Sequence, residues 1–129
     1  MALPRLLVID DEPALADYVA RAADLCGYEP AIADGDQDFR EQFTAEPPAL
    51  VALDLGMPDS DGVQLLRFLA EQRFEGPVII ISGFDRRVLD SAFRLGEALG
   101  LNMAGQIEKP ARLEVIEEVL KRLKATLPA

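Results

Sequence analysis

The sequence contains no histidine and only one cysteine, Cys26. The lack of histidine excludes Ser-His-Asp and Cys-His nucleophilic catalysis, histidine-ligated zinc and a phosphohistidine on this chain. A single cysteine excludes an intrachain disulfide and a cysteine-cluster metal site, and it fits a reducing, cytoplasmic setting. The chemistry of this chain must therefore use carboxylates, hydroxyls, lysine, arginine or a hard metal ion bound by oxygen.

Basic residues are also scarce, since 13 Lys and Arg face 23 Asp and Glu and give a net charge of −10. This charge repels phosphates, so we expect neither nucleic acid nor a membrane surface as a direct partner. The first apolar run stops at Asp10 and Asp11, which argues against a signal peptide or a membrane span. Half of the 129 residues are hydrophobic, which predicts one domain over residues 1–129 with a substantial core.

Continuous apolar runs predict strands that are buried on both faces, as in a parallel sheet. The runs cover residues 6–9, 50–53, 78–81 and, with less apolar character, 103–107. A further strand is predicted over residues 28–33, at the sheet edge, because Pro30 lacks a backbone donor.

Apolar residues at helical spacing predict a helix after each strand. The first begins near Pro13, with Asp11 or Glu12 available as a cap. A short helix is predicted over residues 36–44, and three more around residues 63–69, 88–99 and 113–127. This alternation predicts an α/β fold, a single doubly wound five-stranded parallel sheet with helices on both faces.

Polar residues follow the predicted strands at the point where each strand ends. They are Asp10 and Asp11, then Asp54, Ser82 and Lys109. Because the carboxyl ends of parallel strands meet at one edge, we expect these side chains to converge there. Crowded carboxylates repel one another unless a cation joins them, and Mg²⁺ prefers oxygen ligands. A metal, a lysine and a hydroxyl around one carboxylate form a cradle for a phosphoryl group, with Asp54 as the nucleophile.

Each of these residues also has a simpler interpretation when it is taken alone. Asp10 and Asp11 could cap a helix, and Asp54 could belong to a turn. Ser82 could be a loop residue, and Lys109 could be an exposed surface lysine. The residues follow successive predicted strands in the order that the site requires, which favours the functional interpretation.

The chain resembles a two-component response regulator receiver domain (CheY-like) over essentially its whole length. Four motifs carry the resemblance: Leu-Leu-Val-Ile-Asp10-Asp11-Glu12-Pro13, Leu-Asp54-Leu-Gly56-Met57-Pro58 followed by Asp61-Gly62, Ile-Ile-Ser82-Gly83, and Lys109-Pro110. The resemblance implies a flavodoxin-like strand order 2-1-3-4-5. It also implies that Asp54 accepts a phosphoryl group from a sensor histidine kinase or a histidine phosphotransfer protein.

The resemblance further implies a ligand set. Mg²⁺ would be held by Asp11, Asp54 and the backbone carbonyl of Gly56, with Asp10 acting mainly through water. Ser82 and Lys109 would contact the phosphoryl oxygens, and the Lys109–Pro110 bond would be cis. Such a domain is a phosphoacceptor and not an enzyme, apart from assisting its own phosphorylation and dephosphorylation.

The resemblance also implies a downstream protein target or output domain, reached through the face of helix 4, strand 5 and helix 5, and a possible homodimer. No output domain follows the fifth helix, so the chain is either a stand-alone receiver or a part of a longer protein. Receivers usually carry Tyr or Phe three residues before the lysine, and here Gln106 stands there. We expect Gln106 to weaken or reroute the usual conformational switch.

The alternative function is a receiver fold that is never phosphorylated and serves only as a protein-interaction module; the intact site residues argue against it. A flavodoxin would need a glycine- and hydroxyl-rich phosphate loop, whereas the acidic run after the first strand repels phosphate. A phosphatase of the aspartate-nucleophile type would need a second aspartate where this chain has Gly56.

Overall fold

The computed structural model describes residues 3–10, 12–55, 62–83 and 86–128. Along these residues strands and helices alternate. The strands are β1 (Arg5–Ile9), β2 (Glu29–Ala33), β3 (Leu50–Leu53), β4 (Pro77–Ser82) and β5 (Asn102–Glu108). The helices are α1 (Pro13–Leu25), α2 (Asp36–Ala45), α3 (Gly62–Glu71), α4 (Arg86–Ala98) and α5 (Leu113–Lys124).

The five strands form one parallel sheet in the order β2-β1-β3-β4-β5, which confirms the expected topology. The most apolar strands, β1, β3 and β4, occupy the middle, where both faces are covered. The strand containing Pro30 lies at an edge, as predicted.

Helices cover both faces of the sheet because the side chains of each strand alternate between two apolar layers. One layer packs beneath α2, α3 and α4 and includes Phe39, Leu66 and Leu89. The other packs beneath α1 and α5 and includes Val19 and Leu120. Within the described residues, no helix is long and apolar enough to cross a membrane.

The predicted and observed elements differ mainly at their ends. Helix α5 ends at Lys124 rather than continuing to Leu127, although Leu127 still packs against the layer beneath α5 after a turn. Strand β5 extends to both sides of the predicted residues 103–107, and it contains an irregularity opposite Val78 and Ile79. Its weak apolar pattern follows from several exposed or half-buried side chains.

The start of α1 agrees with only part of the prediction. Pro13 is in the first turn, as expected, and Glu12 is the N-cap residue. Glu12 thus takes the N-cap position, one of the two candidates, but its side chain makes no capping hydrogen bond and instead approaches Lys109. The Glu12 N–H donates to Asp10 Oδ1 at 2.9 Å. The other predicted cap, Asp11, lies outside the described residues.

Candidate functional site

Two carboxylates meet at the carboxyl edge of the sheet because β1 and β3 are hydrogen-bonded neighbours. Ile9 pairs with Leu53, so the next residues, Asp10 and Asp54, lie side by side. The Asp54 N–H donates to the Ile9 carbonyl at 3.0 Å and fixes the backbone there. Both side chains are only 4% exposed, so two acidic groups are withdrawn from water together.

Lys109 joins the two carboxylates. Its Nζ lies 2.8 Å from Asp10 Oδ2 and 3.4 Å from Asp54 Oδ2, and 3.7 Å from Glu12 Oε1. The Lys109 N–H donates to the Ser82 carbonyl at 2.9 Å, which continues the strand pairing up to the lysine. The Lys109–Pro110 bond is cis, as the resemblance implies.

Ser82 is the last residue of β4, the strand next to β3. It is 1% exposed and pairs with Glu108 at the end of β5. Because Ser82 lies at the same edge of the sheet, its hydroxyl is on the β4 side of the cluster of Asp10, Asp54 and Lys109.

A close approach of α3 supports the segment after Asp54. A Cβ added at Gly62 would lie 2.8 Å from Leu55 Cα and 3.3 Å from the Asp54 carbonyl oxygen. Only glycine therefore fits where the helix begins. The contact fixes the backbone that carries the buried carboxylate.

The charges of the cluster act on one another in a setting with little water. Burial raises the pKa of Asp10, and the neighbouring Asp54 charge adds to this, against the hydrogen bonds from Lys109 and the Glu12 N–H. Burial alone would lower the pKa of Lys109, but the hydrogen bond to Asp10 and the surrounding carboxylate charges outweigh it and raise that pKa. The raised pKa of Lys109 favours its charged form. The raised pKa of Asp10 means that ionising this carboxyl costs more free energy in the folded protein than in water.

Of the residues predicted for the site, Lys109 contacts both Asp10 and Asp54, and Ser82 lies at the adjoining strand end. Asp11 and Gly56 lie outside the described residues. Sequence reasoning gave no role at the site to Glu12, whose carboxylate approaches Lys109 although the side chain is 62% exposed. Its place in the acidic run after β1 was the available signal.

The donor chemistry fits a hard divalent ion. Asp10 and Asp54 supply buried carboxylate oxygens at one point, and their mutual repulsion is what a cation relieves. Among residues 3–10, 12–55, 62–83 and 86–128, no three acidic or cysteine side chains gather closely enough to hold a metal.

The sheet order and the cluster at its carboxyl edge define a doubly wound, flavodoxin-like α/β protein with a site at the switch point of the topology. The sequence matches the response regulator receiver domain family over residues 6–121, and the chain belongs to that family. Receiver domains are the signalling domains of response regulators in two-component systems, and they are not in general enzymes. In related proteins they interact with histidine kinases and output domains.

Known relatives match nearly the whole chain. It is 31% identical over 123 residues to the transcriptional regulatory protein TrcR of Mycobacterium tuberculosis, covering 95% of this chain and 45% of that protein. It is 34% identical over 121 residues to protein-glutamate methylesterase/protein-glutamine glutaminase 6 of Anaeromyxobacter dehalogenans, covering 92% of this chain and 33% of that protein. The chain thus spans half or less of the length of these relatives. The crystal structure of a response regulator from Colwellia psychrerythraea superposes with a TM-score of 0.81 at 28% identity, covering 97% of this chain and 99% of that one.

Proposed function

We propose that Asp54 accepts a phosphoryl group from a phosphohistidine of a sensor histidine kinase or a histidine phosphotransfer protein. The observation that carries the proposal is the contact of one lysine with two buried carboxylates at the carboxyl edge of the sheet. Of these carboxylates, Asp54 directly follows the central strand β3, which lies between β1 and β4. Its neighbours can therefore supply groups from both sides.

In the transfer, a carboxylate oxygen of Asp54 attacks the phosphorus, the bond from phosphorus to the donor imidazole breaks, and an acyl phosphate forms. Lys109 supplies positive charge to the phosphoryl oxygens, since its Nζ already lies 3.4 Å from Asp54 Oδ2. The Ser82 hydroxyl, at the end of the adjacent strand, donates a hydrogen bond to one of these oxygens. The burial of the cluster strengthens both interactions.

The proposed metal is Mg²⁺, held by Asp11, Asp54 and the Gly56 carbonyl, with Asp10 acting mainly through water. When bound, it neutralises charge that develops on the phosphoryl oxygens. Asp10 contributes in a second way, because its carboxylate holds Lys109 at 2.8 Å and so orients the ammonium group toward Asp54.

The proposed output is a change in partner binding through the face of α4, β5 and α5. Strand β5 ends at Glu108, directly before Lys109, so a rearrangement around the lysine reaches this face through one strand. The partner is a downstream protein or an output domain, and a second copy of the chain is a further candidate. The net charge of −10 argues against direct binding to nucleic acid.

The test is phosphorylation by acetyl phosphate with Mg²⁺, followed by intact mass. The unmodified sequence should gain one phosphoryl group, and Asp54→Asn should gain none. Asp38→Asn, which removes an aspartate on α2, serves as the matched control and should be labelled normally. A persistent adduct on Asp54→Asn would contradict the assignment. The absence of any adduct on the unmodified sequence would favour the non-phosphorylated interaction module.

A further inference from the structure

Strand β5 contains one extra residue relative to its partner β4. Val78 pairs with Met103, but the next residue of β4, Ile79, pairs with Gly105. Ala104 is therefore the extra residue of a β-bulge. Because side chains alternate along a strand, one inserted residue reverses the face of every side chain beyond it.

The core shows this reversal. Met103 belongs to the apolar layer beneath α4, whereas Ile107, four residues later, belongs to the layer beneath α1 and α5. In a regular strand the two would share a face. Gln106 pairs with Ile80, whose side chain lies in the α4 layer, so the bulge is what turns Gln106 toward α4.

On that side Gln106 finds a partner. Its Nε2 donates to Asp90 Oδ1 in α4 at 2.8 Å. Farther along α4, the helix packs closely on β5 at Gly96. A Cβ added at Gly96 would lie only 2.3 Å from Met103 Sδ. Helix α4 is thus held on β5 by apolar packing at Gly96 and by a hydrogen bond near its first turns.

We infer that the Gln106–Asp90 hydrogen bond is a latch that restrains α4 on β5 in the unphosphorylated chain. Gln106 stands three residues before Lys109, which contacts Asp54, so the latch lies on the strand that links the site to α4. A movement of α4 away from β5 must break the bond. The proposed output acts through the face of α4, β5 and α5, so phosphorylation would shift α4 relative to β5. The latch opposes that shift, and in this respect the inference rests on the proposed function.

The first experiment measures hydrogen exchange of the unmodified protein in Gln106→Met, Asp90→Ala and the double variant. Gln37→Met is the matched control, since Gln37 Nε2 donates to Glu41 Oε1 at 3.0 Å within α2 and joins no two elements. The net contribution of one hydrogen bond corresponds to about fivefold in an opening equilibrium.

We expect the α4 amides to exchange about fivefold faster in Gln106→Met and Asp90→Ala, and unchanged in the control. The double variant should exchange no faster than the faster single variant, because both changes remove the same bond. Unaltered exchange rates of the α4 amides would overturn the inference. So would a double variant whose increase in exchange rate equals the product of the two single increases.

The second experiment measures binding of beryllofluoride, a phosphoryl mimic, in the presence of Mg²⁺. Since the latch opposes the phosphorylated arrangement, Gln106→Met should bind up to about fivefold more tightly than the unmodified sequence. Equal or weaker binding would overturn the inference. If the unmodified sequence itself fails to bind beryllofluoride, the proposed function fails, and the exchange experiment still decides whether the latch exists.

Discussion

Replacing Lys109 with methionine tests how far the cluster depends on a fixed positive charge. The substitution keeps the length and the apolar stem of the side chain and removes the ammonium group 2.8 Å from Asp10 and 3.4 Å from Asp54. The two carboxylates, each 4% exposed, then remain buried without their cation. Removing one partner of a buried ion pair costs about 3–5 kcal/mol. Lys109 is 12% exposed and lies at the edge of the sheet, so we expect about 3 kcal/mol, the low end.

The assay is urea unfolding followed by far-ultraviolet circular dichroism, in EDTA at neutral pH. Lys121→Met, on the exposed side of α5, is the control and should change the unfolding free energy by less than about 0.5 kcal/mol. Added Mg²⁺ should stabilise Lys109→Met more than the unmodified sequence, because the two carboxylates attract the ion more strongly once the lysine charge is gone. If Lys109→Met is as stable as the unmodified sequence in EDTA, the carboxylates do not depend on the lysine and the electrostatic account of the site is wrong.

Three further substitutions probe charge, pH and signalling. Asp10→Ala should raise the melting temperature in EDTA, because burial and the Asp54 charge disfavour ionised Asp10; a lower melting temperature would count against a repulsive cluster. Burial raises the pKa of Tyr28 to about 12, and its hydroxyl donates to a helix carbonyl at 2.6 Å. The unmodified sequence should therefore lose stability as pH rises from about 10 through about 12. Tyr28→Phe should be about 1 kcal/mol less stable below this window and should lose less stability across it, with the remaining loss arising from Lys109, whose pKa is also raised; an equal loss in both proteins, measured by urea unfolding, would refute the role of Tyr28. Ser82→Ala should remove most of the beryllofluoride-induced shift of the α4 amide resonances, and an undiminished shift would exclude the hydroxyl from the switch.

The sequence predicts the centre of the fold well because the central strands are buried on both faces. The runs before Asp10, Asp54 and Ser82 are apolar without interruption, and only strands of a parallel sheet explain three such runs between helical patterns. Because these strands are parallel and adjacent, their carboxyl ends must lie at the same edge of the sheet. The contact of Lys109 with the two carboxylates follows from the topology together with the position of each polar residue after its strand.

The details that sequence reasoning missed depend on register and on side-chain direction. The bulge at Ala104 leaves no clear signal in a strand that is half exposed, and without it Gln106 would face away from α4. Its bond to Asp90 therefore could not be predicted from spacing alone. Asp11 or Glu12 was expected to cap α1; Glu12 takes the N-cap position, but its side chain approaches Lys109 and makes no capping hydrogen bond. In each case, a contact between distant segments decides where the side chain lies.

The most direct test of the central claim is to map the phosphorylated residue itself. The unmodified sequence is treated with acetyl phosphate and Mg²⁺, and the acyl phosphate is reduced with borohydride to the corresponding alcohol, which marks the modified aspartate permanently. Tandem mass spectrometry of the peptides then locates the mark. We expect the mark on Asp54, with the neighbouring Asp10 unmarked. A mark on Asp10, or on an aspartate remote from Lys109, would show that Asp54 is not the phosphoacceptor.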